Sequence, residues 1–266
     1  METVTSPASV RVITDSDTHT VKTHTVKTVI GSWPAVKYAV EAIGTFYLVL
    51  TVGAAVSNPS PLSPLIIGAV LIVMIYAGGD VSAAHCNPAV TLALLLRRWI
   101  GIRDAAGYWT VQLGAGLFAA VVVRAIVNPA RLANTAALTP GGPILIAALA
   151  IELLVAFALC YAVLNTVAPK GQPSSWLQGM TIGLAMVASA ALVGAISAHA
   201  GAISGEASNP QTTAGAALTQ MGALTQTFGW PTWWVYLVAQ IITCTAAGVA
   251  FLKLSPDDAH RSRQTP

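Results

Sequence analysis

Asn87-Pro88-Ala89-Val90-Thr91-Leu92-Ala93-Leu94-Leu95-Leu96 and Asn209-Pro210-Gln211-Thr212-Thr213-Ala214-Gly215-Ala216-Ala217-Leu218 stand at corresponding places in the two halves of a very apolar chain. An Asn side chain can cap free backbone N–H groups, and a Pro at the first helical position has a suitable φ and no N–H to leave unpaired. Each Asn-Pro therefore predicts the start of a helix. Neither apolar run approaches the roughly 20 residues a membrane crossing needs. Short hydrophobic pieces broken by Gly and Pro, at matching positions in two halves, point to a binding or conduction site near the middle of a bilayer.

The rest of the chain supports a membrane setting. Its 266 residues are 55% hydrophobic and 9% charged, with a mean hydropathy of +0.69. Such a chain has too few charges to clothe a water-soluble globule. Six segments are long enough to span: 36–56, 61–78, 105–127, 144–167, 176–196 and 233–252. A polar leader precedes the first span and five more follow it, so that span does not read as a cleaved signal.

Arg11, Lys22, Lys27 and Lys37 precede the first span, Arg97, Arg98 and Arg103 follow the second, Lys170 follows the fourth, and Lys253, Arg261 and Arg263 follow the last. Only Arg124 and Arg131 fall near the other face. By the retention of Lys and Arg in cytoplasmic loops, both termini are expected in the cytoplasm, in a plasma or inner membrane. The net charge of +3 follows from this topology and gives no case for a nucleic-acid partner.

Residues 1–34 are polar and carry an immediate repeat, His19-Thr20-Val21-Lys22-Thr23 followed by His24-Thr25-Val26-Lys27-Thr28, and they read as a disordered tail. Residues 255–266 form a second polar tail. Between them, 35–254 reads as one all-α membrane domain with a first repeat at about 35–128 and a second at about 142–254. Glu41 corresponds to Glu152, Asn87 to Asn209, and Tyr108 with Gln112 to Tyr236 with Gln240. Three spans per repeat is an odd number, so the repeats are inverted and the two short helices meet N-terminus to N-terminus.

Cys86, Cys160 and Cys244 lack metal-ligand spacing and read as packing residues. Cys86 abuts Asn87, which makes its thiol the one to test for access from a pore. No metal or cofactor is expected. Asp80 and Asp104 stand alone, no nucleophile-base pairing is visible and no phosphate-cradling loop is present, so the chain does not read as an enzyme.

Ser82-Ala83-Ala84-His85-Cys86-Asn87-Pro88-Ala89-Val90-Thr91 is similar to the first signature of the major intrinsic proteins, the aquaporins and glycerol facilitators. Gly201-Ala202-Ile203-Ser204-Gly205-Glu206-Ala207-Ser208-Asn209-Pro210 resembles the second signature, and Glu41-Ala42-Ile43-Gly44-Thr45-Phe46 the first-helix motif. The likeness covers about residues 35–253. A third copy, Asn128-Pro129-Ala130-Arg131, lacks the small-residue lead-in and opens no apolar half-helix, and reads as a decoy.

The resemblance implies six transmembrane helices plus two re-entrant half-helices, and a single-file pore for water and small neutral solutes such as glycerol, urea or ammonia. Asn87, Pro88, Ala89, Asn209, Pro210 and Gln211 would sit at its centre, where two helix N-termini and two amide donors disfavour cations. Backbone carbonyls of about 79–86 and 201–208 would complete the path, since unpaired carbonyls at membrane depth must line a wet cavity. His85 belongs to this lining or supports it. Glu41 and Glu152 lie inside spans, where a charge costs about 2.5–3.5 kcal/mol; the resemblance gives them the job of accepting hydrogen bonds from the re-entrant loops. A homotetramer in lipid, with one pore per subunit, is implied as well.

The four selectivity-filter positions fall on Ile67, Ser197, Glu206 and Thr212. Thr212 replaces the usual arginine and Gln211 the usual alanine, which removes a donor and a positive charge and widens the constriction. Glu206 either faces the pore, attracting polar donors or making the filter pH-dependent, or is neutralised by Arg131 or His199. The mixed pattern is similar to the nodulin-26-like branch. Two other readings stay open on residues alone: a proton- or ion-coupled transporter using Glu206, His85 or His199, and a non-conducting membrane protein of the same fold.

Overall fold

A computed structural model describes residues 11–14, 21–24, 34–57, 60–126, 143–167, 175–204 and 233–254, with side chains described for 35–55, 60–126, 150, 153–167, 176–192 and 238–254. The chain divides into two units, 1–37 and 38–266.

In the first unit, β1 (Arg11–Thr14) pairs antiparallel with β2 (Val21–His24), with Arg11 opposite His24 and Thr14 opposite Val21. These residues fall in the segment expected to be disordered. The difference has a local cause: Val12, Ile13, Thr14, Val21 and Thr23 are β-branched, and such side chains favour extended backbone.

Among the described residues six long helices and one short one follow: α1 (Pro34–Ser57), α2 (Ser63–Ser82), α3 (Pro88–Leu96), α4 (Ile102–Ile126), α5 (Pro143–Val167), α6 (Ser175–Ser204) and α7 (Trp233–Leu254). At 1.5 Å per residue the long helices of 20–30 residues reach about 30 Å or more, whereas the nine residues of α3 reach only about 14 Å. Ala35–Ala55, Ser63–Ser82 and Ile102–Ile126 qualify as spans by length and mean hydropathy, and Leu153–Val167, Trp176–Leu192 and Val238–Leu254 continue the apolar pattern in the other three.

Two boundaries differ from expectation. Residues Gly79–Ser82 and Gly201–Ser204, read as parts of the broken segments, are helical. α2 runs four residues past Gly78, to Ser82, where Ala83 takes the left-handed cap conformation and its N–H bonds the Gly79 carbonyl. In α6 the run Ala198-His199-Ala200-Gly201-Ala202 is rich in alanine, the best helix former.

Burial is arranged for lipid rather than water. Ile43, Tyr76, Phe118, Val121 and Leu154 are exposed, while Glu41, Thr91 and Gln112 are fully buried. Apolar side chains outside and hydrogen-bonded polar ones inside is what a hydrocarbon solvent requires. The most extensive helix contact is α2 on α6, followed by α5 on α7; α3 packs on α7, α4 and α5. Where α2 crosses α6, Gly68 and Gly183 face each other so closely that a Cβ on Gly68 would lie 2.6 Å from the Gly183 carbonyl, and one on Gly183 2.8 Å from the Gly68 carbonyl. Small residues let helices in lipid approach to backbone contact.

Candidate pore at the first Asn-Pro-Ala turn

Asn87 is extended (φ −155°, ψ 126°), and its Oδ1 accepts the Ala89 N–H at 2.7 Å. Pro88 then opens α3, and the Thr91 N–H returns to the Asn87 carbonyl at 3.0 Å. The Asn-Pro pair thus acts as a cap and a first helical residue, as those side chains dictate.

The chain between α2 and α3 is under backbone strain. Ala83, Ala84 and Cys86 have φ of 63°, 43° and 48°, the left-handed region where a Cβ costs roughly 1–2 kcal/mol per residue. One buried carboxylate holds the turn in place. Glu41 Oε1 accepts from Ser82 Oγ at 2.7 Å and the His85 N–H at 2.8 Å; Oε2 accepts from the Cys86 N–H at 2.8 Å and Gln112 Nε2 at 2.9 Å. Four donors occupy the four lone-pair directions of the carboxylate. Ser82 Oγ also accepts the Ala84 N–H at 3.0 Å, and Tyr108 donates to the Ser82 carbonyl at 3.0 Å. Gln112 Nε2 lies 3.1 Å from Thr91 Oγ1, and His85 Nδ1 is 3.1 Å from the same hydroxyl.

The half-helix is anchored from outside too. Trp109 Nε1 donates to the Pro88 carbonyl at 3.0 Å, and Cys244 Sγ to the Ala89 carbonyl at 3.1 Å. Arg97, counted from the sequence as a loop charge, is buried at the C-terminal end of α3, with its guanidinium 4.4 Å from the Phe251 ring centroid and 5.8 Å from that of Trp99. A cation there complements the half-helix dipole and the faces of the two rings.

A cavity opens against this turn. About 10 Å³ of it accepts the centre of a water-sized sphere, close to the room one water molecule needs. Ala83, Ala84, His85 and Asn87 form one side, and Leu71 of α2, Val163 of α5 and Met186 of α6 belong to the apolar remainder.

The structure therefore brings Glu41, His85 and Asn87 together, with Pro88 and Ala89 starting α3. Ile67 is fully buried on α2 in the hydrophobic core, and it does not line this cavity. The backbones of Glu152 and Ser197 lie in α5 and α6; their side chains, and all of Glu206, Asn209, Pro210, Gln211 and Thr212, lie outside the described residues. Ser82, Thr91 and Trp109 carry roles that sequence reasoning did not assign. Ser82 and Thr91 lie inside the quoted signature, but nothing in a linear motif says which buried group each must satisfy.

Cys86 does not face the cavity. Its side chain is buried, and a Cβ built on Gly44 of α1 would lie 2.3 Å from its Sγ, so the thiol fills the notch that this glycine leaves. Gly44→Ala is expected to lose folded yield through this overlap, a cost of about 1–3 kcal/mol for an overpacked site. Thermal melts should show partial recovery in Gly44→Ala/Cys86→Ala. A single Gly44→Ala that melts like the parent would refute this packing.

The major intrinsic protein family model matches residues 60–251. The chain belongs to the major intrinsic protein family. Among curated relatives, this member is 36% identical over 190 residues to aquaporin NIP2-1 of Oryza sativa subsp. japonica, covering 68% of this chain and 60% of the rice protein. It is 29% identical over 233 residues to aquaporin NIP2-2 of Zea mays, covering 85% and 73%. It is 32% identical over 155 residues to glycerol uptake facilitator protein-like 6 of Lactiplantibacillus plantarum, covering 56% and 71%. The chain thus spans about three-fifths of the rice relative's length. Among solved structures, the aquaglyceroporin from Plasmodium falciparum superposes with a TM-score of 0.58 at 19% identity, over 84% of this chain and 97% of that one. That likeness concerns the fold, which is the aquaporin-like one, and this major intrinsic protein is an integral, multi-pass membrane protein.

Proposed function

We propose that the protein is a passive channel for water and small neutral solutes. The observation that carries this reading is the water-sized cavity set against a strained turn and an Asn-capped half-helix N-terminus. A helix N-terminus disfavours cations, and exposed backbone at membrane depth is tolerable only beside a polar path. A coupled transporter would need a carboxylate free to exchange its proton along that path. Glu41 is held by four donors at 2.7–2.9 Å, which supports a structural role for it.

On this reading Ile67, Ser197, Glu206 and Thr212 form the filter, and the absence of an arginine at Thr212 admits solutes larger than water. Glu152 supports the second re-entrant loop as Glu41 does the first. The protein works in lipid as a homotetramer of separately conducting subunits, with both termini in the cytoplasm.

Osmotic stopped-flow on proteoliposomes tests this reading. Water and at least one of glycerol and urea are expected to equilibrate faster than in empty liposomes, without saturation or dependence on a proton gradient. Thr212→Arg is expected to lower glycerol or urea permeability relative to water. Permeabilities equal to those of empty liposomes would overturn the channel assignment; faster water alone would overturn the widened filter.

A further inference from the structure

The three cysteines stand far apart in the sequence, and all are buried as thiols. Folding brings two of them together. Cys160 of α5 and Cys244 of α7, 84 residues apart, have their sulfurs 3.3 Å from each other, and both side chains are fully buried. Cys244 Sγ also donates to the Ala89 carbonyl at 3.1 Å. A thiol carries one proton, so with Cys244 donating to Ala89, the proton between the two sulfurs belongs to Cys160. The result is a chain from Cys160 through Cys244 to the first turn of α3, where the Ala89 N–H is held by Asn87. Leu159 and Val90 belong to the cavity wall, and they adjoin Cys160 and Ala89 in sequence. The thiols thus lie one layer of side chains behind a space that takes a water-sized molecule.

From this geometry we infer that Cys160 and Cys244 are a dithiol modification site, closed to a disulfide by hydrogen peroxide. The inference does not rest on the channel reading. A bonded pair of sulfurs is about 2.05 Å apart, so these two have only about 1.2 Å left to travel, which small rotations of the two side chains supply. One thiol sulfur attacks a peroxide oxygen; the O–O bond breaks, and the departing hydroxide takes the thiol proton and leaves as water. The product is a sulfenic acid. The second sulfur then attacks the sulfenic sulfur, the S–S bond forms, the S–O bond breaks, and a second water leaves with the other thiol proton. Two thiols and one peroxide become one disulfide and two waters, the sulfurs oxidised and the peroxide oxygens reduced. Burial makes the first step the slow one, and contact makes the second fast. The waiting thiol captures the sulfenic acid before a further oxygen adds. Both protons of the chain are consumed, so the Ala89 carbonyl loses its thiol donor while α5 and α7 become covalently joined.

The test treats the full chain in proteoliposomes with excess hydrogen peroxide, destroys the peroxide with catalase, and unfolds the protein in excess maleimide, which traps every thiol still free. Peptides are then mapped by mass spectrometry without reductant. The expected product is a Cys160 peptide joined to a Cys244 peptide, lighter than their sum by two hydrogens and separated by dithiothreitol, with Cys86 carrying maleimide. Maleimide on all three cysteines would overturn the proposal. So would a sulfinic acid at Cys160 or Cys244, or a bridge that includes Cys86. A melting temperature in detergent gives a second readout: the bridge closes a long loop, and the peroxide-treated parent is expected to melt roughly 5–10 °C higher than the untreated one. Cys160→Ser keeps a small donor beside Cys244 and cannot form the bridge, so peroxide should leave its melting temperature unchanged. An equal rise in that variant would show that the stabilisation does not come from a Cys160–Cys244 bond. Should Cys160→Ser fail to fold, the peptide map of the unmutated protein decides alone.

Discussion

Glu41→Gln is expected to yield a protein that does not hold the turn before α3. The substitution is nearly isosteric, so volume is not the cause. The cause is donor counting: four donors converge on the two carboxylate oxygens, and an amide replaces one acceptor oxygen by a group that only donates. Whichever way the amide is turned, two buried donors lose their acceptor and face two further N–H groups. At about 1–3 kcal/mol for each orphaned donor the cost is about 2–6 kcal/mol, a large share of a typical stability of about 5–15 kcal/mol. The turn has little reserve against such a loss, because Ala83, Ala84 and Cys86 already sit at positive φ. Thermal unfolding in detergent and water permeability in proteoliposomes check this together. A Gln variant that melts and conducts like the parent would show that the carboxylate does not hold the loop.

Gly183→Leu is expected to be nearly as damaging, through a different mechanism. Gly183 of α6 sits on Gly68 of α2, and an added Cβ would meet Ile72 Cγ1 at 2.2 Å and the Gly68 carbonyl at 2.8 Å. A side chain can rotate away, but a carbonyl in the middle of a helix cannot, so α2 and α6 must separate. Even Gly183→Ala should fall at the upper end of the roughly 1–3 kcal/mol cost of overpacking, and Leu well beyond it. The α2–α6 contact is the most extensive in the bundle, and its two helices also contribute Leu71 and Met186 to the cavity wall. Gly114, where an added Cβ meets nothing within 4 Å, is the control: Gly114→Ala should melt within a degree or two of the parent. A Gly183→Leu protein as stable as that control would exclude the close crossing.

Much of the molecule was legible in its residues. Apolar length predicted six long helices, and a bilayer leaves a helix few alternatives because its backbone polar groups must be paired internally. Asn87-Pro88 predicted a helix start, and capping chemistry is local enough to be read from two residues. The matched glutamates predicted that a buried charge needs partners. The ends of α2 and α6 were not legible, because a left-handed Ala83 cap and an alanine-rich continuation override the helix-breaking signal of Gly79 and Gly201. Nor was the setting of Arg97, which reads as a loop cation until Phe251, distant in sequence by the whole second repeat, is folded over it.

By itself the sequence determined the solvent, the helices and the capped start at Asn87, since each depends on hydropathy or on groups within a few residues. Only the tertiary structure decided that Glu41 is spent on four particular donors, that Cys86 turns to Gly44, and that His85 lines the cavity. Those outcomes depend on which buried polar group meets which partner across helices, and that pairing is set by packing between segments 41 to 155 residues apart, a distance over which no local pattern carries information.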